Sequence, residues 1–136
     1  MIPKKIHYIW LGGKPKSNFS NICINSWYEK LNDYEIIEWN EENFDINCNK
    51  FIKEAYEREM YAFVSDYVRV FALYHYGGIY LDTDVEVFKS FDDFINFCQF
   101  IAVEDTSTSI LSAIENKNSL FKYDSQYFLA ISTNKL

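Results

Sequence analysis

The 136-residue sequence has no excess of basic charge, no paired cysteine spacing and no long apolar run, and each absence removes a class of function. Thirteen lysines and arginines against twenty acidic residues leave a formal charge of −7. Nucleic-acid backbones and anionic membranes select basic surfaces, so neither is expected as a partner. An anionic ligand would need a metal ion or a local cluster of cations. The three cysteines, Cys23, Cys48 and Cys98, are odd in number and form no C-x-x-C pair. That usage predicts buried thiols in a reducing, cytoplasmic compartment. No window approaches the roughly 18 apolar residues that a membrane helix requires. The apolar stretch behind Lys4 and Lys5 is short, contains His7 and stops at Gly12-Gly13, unlike a signal peptide. Internal repeats, low-complexity tracts and linkers are missing as well.

What the chain has in quantity is apolar and aromatic mass, 49% and 19% of residues, which excludes a disordered chain and suffices for one domain with a real core. Tyrosine, phenylalanine and tryptophan at that level also supply stacking surfaces for flat or ring-shaped ligands.

The organising stretch is Ala62 to Val87. From Phe63 to Tyr76 the residues are apolar or aromatic almost all round, interrupted by Ser65, Asp66, Arg69 and His75. The pattern predicts a helix buried on every side. Gly77-Gly78 would stop it, and Ile79 to Leu81 would begin a strand ending in Asp82-Thr83-Asp84. Alternation along an extended segment puts Tyr80, Asp82 and Asp84 on one face and Leu81, Thr83 and Val85 on the other. Two carboxylates with Cα atoms roughly 7 Å apart could share one divalent cation. Asp66 and Arg69 share a helix face at i,i+3, where burial would require a pocket or a mutual pair.

Upstream, Lys5 to Leu11 reads as a strand with Trp10 at its end, Ser17 to Leu31 as a helix with Phe19, Ile22, Cys23, Ser26, Trp27 and Leu31 on its apolar positions, and Tyr34 to Trp39 as a second strand. Asn40 to Asn49 reads as a loop or a single helical turn, and Phe51 to Arg58 as a further helix. Downstream, Ser90 to Phe97 suggests a short helix and Gln99 to Val103 a buried strand. Thr106 to Ser109 reads as loop, Ile110 to Ile114 as strand or helix, Glu115 to Ser119 as turn, and the tail from Leu120 shows no clear period. Strands alternating with helices make an α/β domain.

Each feature also has a plain structural reading. Asp66 and Arg69 can be a helix ion pair, His7 and His75 satisfied structural histidines, and Trp10 a core residue. The calcium-loop reading of the aspartates fails, because the sixth position from Asp82 is Val87 and the twelfth is Asp93.

Taken in order, I-P-K-x-I-H-x-x-W from Ile2 to Trp10, S-D-x-x-R from Ser65 to Arg69, G-G-x-Y from Gly77 to Tyr80, and D-x-D at Asp82 to Asp84 resemble the DXD-motif glycosyltransferases. That family includes bacterial capsular polysaccharide transferases and is similar to the catalytic domains of the large glucosylating toxins. The resemblance covers Ile2 to Phe88 well and Phe100 to Asn118 loosely. It implies a GT-A-like, Rossmann-like nucleotide-sugar-binding domain over residues 1–136, the donor-binding N-terminal portion without the usual C-terminal part. It implies transfer, with retention, from a nucleotide sugar, UDP-sugars favoured, to a saccharide or other hydroxyl acceptor in polysaccharide biosynthesis. Trp10 would stack on the base, Asp66 and Arg69 would hold the sugar hydroxyls and phosphate, and Tyr80 would line the phosphate. Asp82 would meet the ribose and the metal's water, while Asp84 would ligate Mn²⁺ or Mg²⁺ directly. A chain lacking the later part would bind donor weakly, hydrolyse it slowly at most, and self-associate. Two rivals remain: a non-catalytic nucleotide-sugar-binding remnant, and a metal-dependent hydrolase using the paired carboxylates as acid and base.

Overall fold

The computed structural model describes residues 1–95 in full, together with the backbone of the strands at 99–102, 121–122 and 128–131. The expected loop, strand or helix, and turn at 106–119 lie outside the described residues. In chain order the elements are β1 (Lys5–Ile9), α1 (Asn18–Lys30), β2 (Glu35–Trp39), α2 (Lys50–Glu57), α3 (Tyr61–Tyr76), β3 (Gly78–Tyr80), β4 (Glu86–Val87), β5 (Gln99–Ala102), β6 (Phe121–Lys122) and β7 (Phe128–Ile131).

Local chemistry explains the boundaries. Ser17 caps α1 by accepting the Ser20 N–H at 3.0 Å, and Asn49 caps α2 by accepting from Ile52 at 2.9 Å. The chain leaves α3 at Gly77. Gly78 follows with φ +97°, and a Cβ there would lie 2.6 Å from the Lys5 carbonyl. Only glycine lets β3 start this close against β1.

A five-stranded sheet runs in the order β2-β1-β3-β7-β5, and β4 pairs with β6 in a separate ribbon. β1 is parallel to both β2 and β3, whereas β7 is antiparallel to β3 and β5. The two faces of the parallel part collect different cores. Ile6, Tyr8, Ile79 and Leu81 meet Ile24, Trp27 and Leu31 of α1 on one side. Ile9, Trp39 and Tyr80 meet Ile52 of α2 and Val64, Val68 and Ala72 of α3 on the other. The described part is therefore layered helix, sheet, helices, as the α/β reading expected.

Several expectations are corrected. Helix α3 is not buried all round: Val64, Val68, Ala72 and Leu73 are buried, while Phe63, Tyr67, Val70, Tyr74 and Tyr76 are exposed. The buried residues recur at i, i+4 and i+8, one stripe facing the sheet. In α1, Phe19 and Ile22 point outward and the buried stripe is Ser20, Cys23, Ile24, Ser26 and Trp27. Cys23 is buried, and burial pushes its thiol up to about 11. Cys48 is exposed in the turns before α2, and Cys98 lies outside the described residues. Of the short helix expected from Ser90 to Phe97, the described residues 90–95 form a turn, with Phe94 and Ile95 both donating to the Phe91 carbonyl. The tail, without a readable period, contributes β6 and β7. Among the described residues, no helix is long and apolar enough to cross a membrane.

Candidate functional site

β1 and β3 are neighbouring parallel strands whose chain connections leave on opposite sides, since β1 leads through α1 to β2 and β3 is reached from α3. Open α/β sheets bind ligands outside the carboxyl ends of the strands at such a switch point. A cavity of about 360 Å³ opens there, lined by Trp10 after β1, by Tyr80 and the turn after β3, and by one face of α3.

The carboxylates arrive by a different geometry from the expected one. The strand ends at Tyr80, and residues 82–85 form a turn in which Val85 N–H donates to the Asp82 carbonyl at 3.1 Å. Strict alternation stops there, so Thr83 lines the cavity together with Asp82 and Asp84. Leu81 and Val85 enter the opposite core, as alternation had them. The turn is fastened from behind by α1: the Trp27 indole donates to the Val85 carbonyl at 2.7 Å, and Ser26 Oγ accepts the Val87 N–H at 2.8 Å.

Arg69 gathers the charged residues. Its Nη2 lies 3.0 Å from Asp66 Oδ1 and 3.8 Å from Asp82 Oδ1, and its guanidinium stands 4.8 Å from the centre of the Tyr80 ring. The Tyr80 hydroxyl donates to Asp82 Oδ1 at 2.7 Å. Burial raises the Asp82 carboxyl above its ordinary value, partly offset by the Tyr80 hydroxyl and Arg69. Burial, and then the Asp82 charge, push the Tyr80 phenol well above its own. Among the described residues, Asp82 Oδ2 and Arg69 Nε are buried with no hydrogen-bond partner.

Of the residues expected in a site, Trp10, Arg69, Tyr80, Asp82 and Asp84 are brought together on the cavity wall. Asp66 is not: its side chain is 67% exposed, and it touches the group through Arg69. Trp10 is half-buried rather than core, with its indole donating to the Lys14 carbonyl at 2.6 Å and the Lys16 ammonium 5.4 Å from its ring. His7 is the satisfied structural histidine of the plain reading, fully buried between Trp39 and Gly77. Tyr61 lines the cavity and escaped the sequence reading, and Ser65, to which only a place in the S-D-x-x-R motif was given, lines it too. Their signal was present, because 61, 65 and 69 lie on one line of a helix.

The donor set suits a hard divalent cation. Asp82 and Asp84 both line one cavity, and one buried oxygen of Asp82 has no hydrogen-bond partner among the described residues. Among those residues no group of three His, Cys, Asp or Glu converges. Two carboxylates with water and a bound phosphate completing the shell is a usual way to hold Mg²⁺.

Residues 18–101 match the family described as the glycosyltransferase sugar-binding region containing the DXD motif. The chain is similar to inositol phosphoceramide mannosyltransferase 1 of Schizosaccharomyces pombe, 32% identical over 111 residues, covering 74% of this chain and 33% of that protein. It is also similar to Subversion of eukaryotic traffic protein A of Legionella pneumophila, 32% identical over 120 residues, covering 68% of this chain and 18% of that protein. The chain thus spans about a third of the first relative's length and under a fifth of the second's. Among solved structures it resembles the PaToxG glycosyltransferase with a TM-score of 0.51 and 22% identity, over 66% of this chain and 45% of that one. That likeness shows the GT-A-like fold.

Proposed function

The chain belongs to the glycosyltransferase family defined by the sugar-binding region with the DXD motif, and from that premise we propose that it transfers a sugar from a nucleoside-diphosphate donor to a hydroxyl acceptor, with retention. The observation that carries the proposal is the convergence of one arginine and two carboxylates on a cavity at the carboxyl ends of β1 and β3. The family generally binds a divalent metal, and Asp84 with Asp82 would hold Mn²⁺ or Mg²⁺ here. When bound, the ion would neutralise charge developing on the leaving diphosphate.

The chain's own residues do the rest. The Trp10 ring offers a stacking surface for the base at one end of the cavity. Arg69 brings the one cation of the described wall to the diphosphate. Tyr80 stays protonated because its phenol is pushed far up, so its hydroxyl remains a donor that fixes the Asp82 carboxylate. Asp66 orients Arg69 and reaches the donor sugar from the rim.

UDP-sugars remain the favoured donors, and the mannosyltransferase named among the relatives puts mannosyl donors beside them. The acceptor is taken to be a saccharide hydroxyl in polysaccharide synthesis, and the cysteine usage assigns the reaction to the cytoplasm. The test incubates the protein and Mn²⁺ with UDP-, GDP- and CMP-sugars, with and without glycan acceptors, and reads product anomers by NMR. Turnover of one donor class with unchanged anomeric configuration, as slow hydrolysis or as transfer, is expected. Tight donor binding without turnover would favour a binding remnant, and cleavage of glycans without any nucleotide sugar would favour a hydrolase.

A further inference from the structure

Glu41 lies in the loop between β2 and α2, apart from the carboxylate turn. One of its oxygens, Oε1, accepts the Gly12 N–H at 2.6 Å and the Tyr56 hydroxyl at 2.7 Å. Gly12 follows Trp10 and Leu11 with φ +83°, and a Cβ there would lie 2.7–2.9 Å from the Tyr61 ring atoms. The backbone at Gly12 thus lies close against the end of the Tyr61 side chain in a conformation that favours glycine. The Tyr61 ring lies 5.4 Å from that of Tyr56. A single carboxylate oxygen therefore ties the loop after β1 to the last turn of α2, and Tyr61, the first residue of α3, packs against both partners it holds. Trp10 and Leu11 from the first segment and Tyr61 from the third line the cavity.

The other contacts of Trp10 differ in kind. Its indole bond to Lys14 and the Lys16 ammonium over its ring lie within its own loop, and its backbone N–H reaches Trp39 of β2. Glu41 fixes that loop to Tyr56 of α2, whose ring packs on Tyr61 at the start of α3, the helix that brings Arg69. Burial opposes the Glu41 charge, yet the bonds from Gly12 and Tyr56 outweigh it and hold the carboxyl below its ordinary value. The same bond pushes the Tyr56 phenol up to about 12. Charge-assisted bonds of this kind are roughly twice as strong as neutral ones.

We propose that Glu41 is a positioning residue that sets the spacing between the Trp10 loop and Tyr61, and with it the width of the slot that admits the base of the nucleotide. The base-binding half of this inference rests on the function proposed above, whereas the positioning half does not. Glutamine at position 41 keeps an acceptor oxygen for both donors, and alanine removes it. Tyr56→Phe removes one donor and leaves Gly12 bound.

The experiment labels the three tryptophans with 5-fluorotryptophan, assigns the Trp10 line by Trp10→Phe, and records ¹⁹F NMR without ligand and during a UDP titration in Mn²⁺. In ligand-free protein, Glu41→Ala is expected to move or split the Trp10 line and to leave the Trp27 line in place, while Glu41→Gln stays near wild type. Glu41→Ala should weaken UDP about tenfold, the order of one net hydrogen bond, and should leave the affinity for Mn²⁺ alone unchanged. A Trp10 line that stays put in folded Glu41→Ala overturns the positioning role. A line that moves with UDP affinity intact overturns its link to the base. Wild-type protein that binds no UDP overturns the nucleotide reading, while the ligand-free Trp10 line still decides the positioning. Should Glu41→Ala not fold, Tyr56→Phe gives the same reading with a smaller shift, and no shift there overturns the proposal.

Discussion

His7 stands opposite Tyr80 across the β1–β3 pairing and Asp82 follows in the turn after β3, yet the fold treats the two polar groups in opposite ways. Both ring nitrogens of His7 are engaged: Nδ1 accepts the Trp39 indole N–H at 3.1 Å, and Nε2 donates to the Gly77 carbonyl at 2.7 Å. Those bonds join β1, β2 and the end of α3. Asp82 has one oxygen on the Tyr80 hydroxyl and, among the described residues, none on the other, beside an Arg69 Nε in the same condition. A buried polar group with every partner supplied serves the fold; one left short beside a cavity is held ready for a ligand. The comparison teaches that function in this domain is marked by incomplete bonding more than by residue type.

The comparison breaks most sharply at Asp84. Replacing Asp84 by Asn should weaken Mn²⁺-dependent nucleotide binding on the order of 100-fold, about 2.7 kcal/mol, with little change in melting temperature. Calorimetry beside thermal melts checks both halves. A mutant that binds as tightly as wild type would remove Asp84 from the metal site.

At the satisfied end the order of effects reverses. His7→Phe strands the Trp39 N–H and the Gly77 carbonyl and should cost about 2 kcal/mol of stability, with affinity per folded molecule unchanged. His7 also carries a pH signature. Burial lowers its folded-state value below 6.5. Its contribution is therefore fully present above 6.5 and lost as pH falls toward the folded value. Urea melts between pH 7.5 and 5.5 should show stability declining in wild type and a flatter profile in His7→Phe.

Asp82 predicts a smaller effect of the other sign. Its folded-state value is raised, so the stability linked to it is present below about 3.8, its ordinary value, and lost as pH rises through the raised one. At neutral pH the ionised carboxylate is a burden on the ligand-free fold. Asp82→Asn should raise the melting temperature while impairing nucleotide binding, and a fall in both would assign Asp82 to the fold.

The smallest effect is expected at the rim. Asp66→Asn loosens Arg69 without entering the cavity wall, so a UDP-sugar should lose about threefold in affinity, within the range of a partly exposed ion pair. UDP alone should lose less. Equal losses would count against a sugar contact at Asp66.

Much of this was legible in the sequence because the signals are local. Ser17 and the periodicity after it announced α1, and the diglycine at Gly77 announced the passage from α3 to β3. Trp10, Arg69, Tyr80, Asp82 and Asp84 could be grouped because their motifs, taken in order, resemble those of the DXD-motif glycosyltransferases. What could not be read depends on distance or on the absence of contrast. In α3 nearly every residue is apolar, so no polar side marks which stripe faces the sheet. The turn at Asp82 to Val85 is held by Trp27 and Ser26, some sixty positions earlier. Glu41 looked like one acid in a polar loop, and its role emerges only when Gly12 and Tyr56 meet on one oxygen.

The central claim, that the cavity between Trp10 and the carboxylate turn takes a nucleoside-diphosphate sugar together with a divalent metal, is tested most directly by titrating UDP-glucose and GDP-mannose into the wild-type protein with Mn²⁺ and again with EDTA. Saturable one-to-one binding of one donor in Mn²⁺, abolished by EDTA, is the predicted result. Binding of equal strength in EDTA, or no binding of either donor in Mn²⁺, would contradict it.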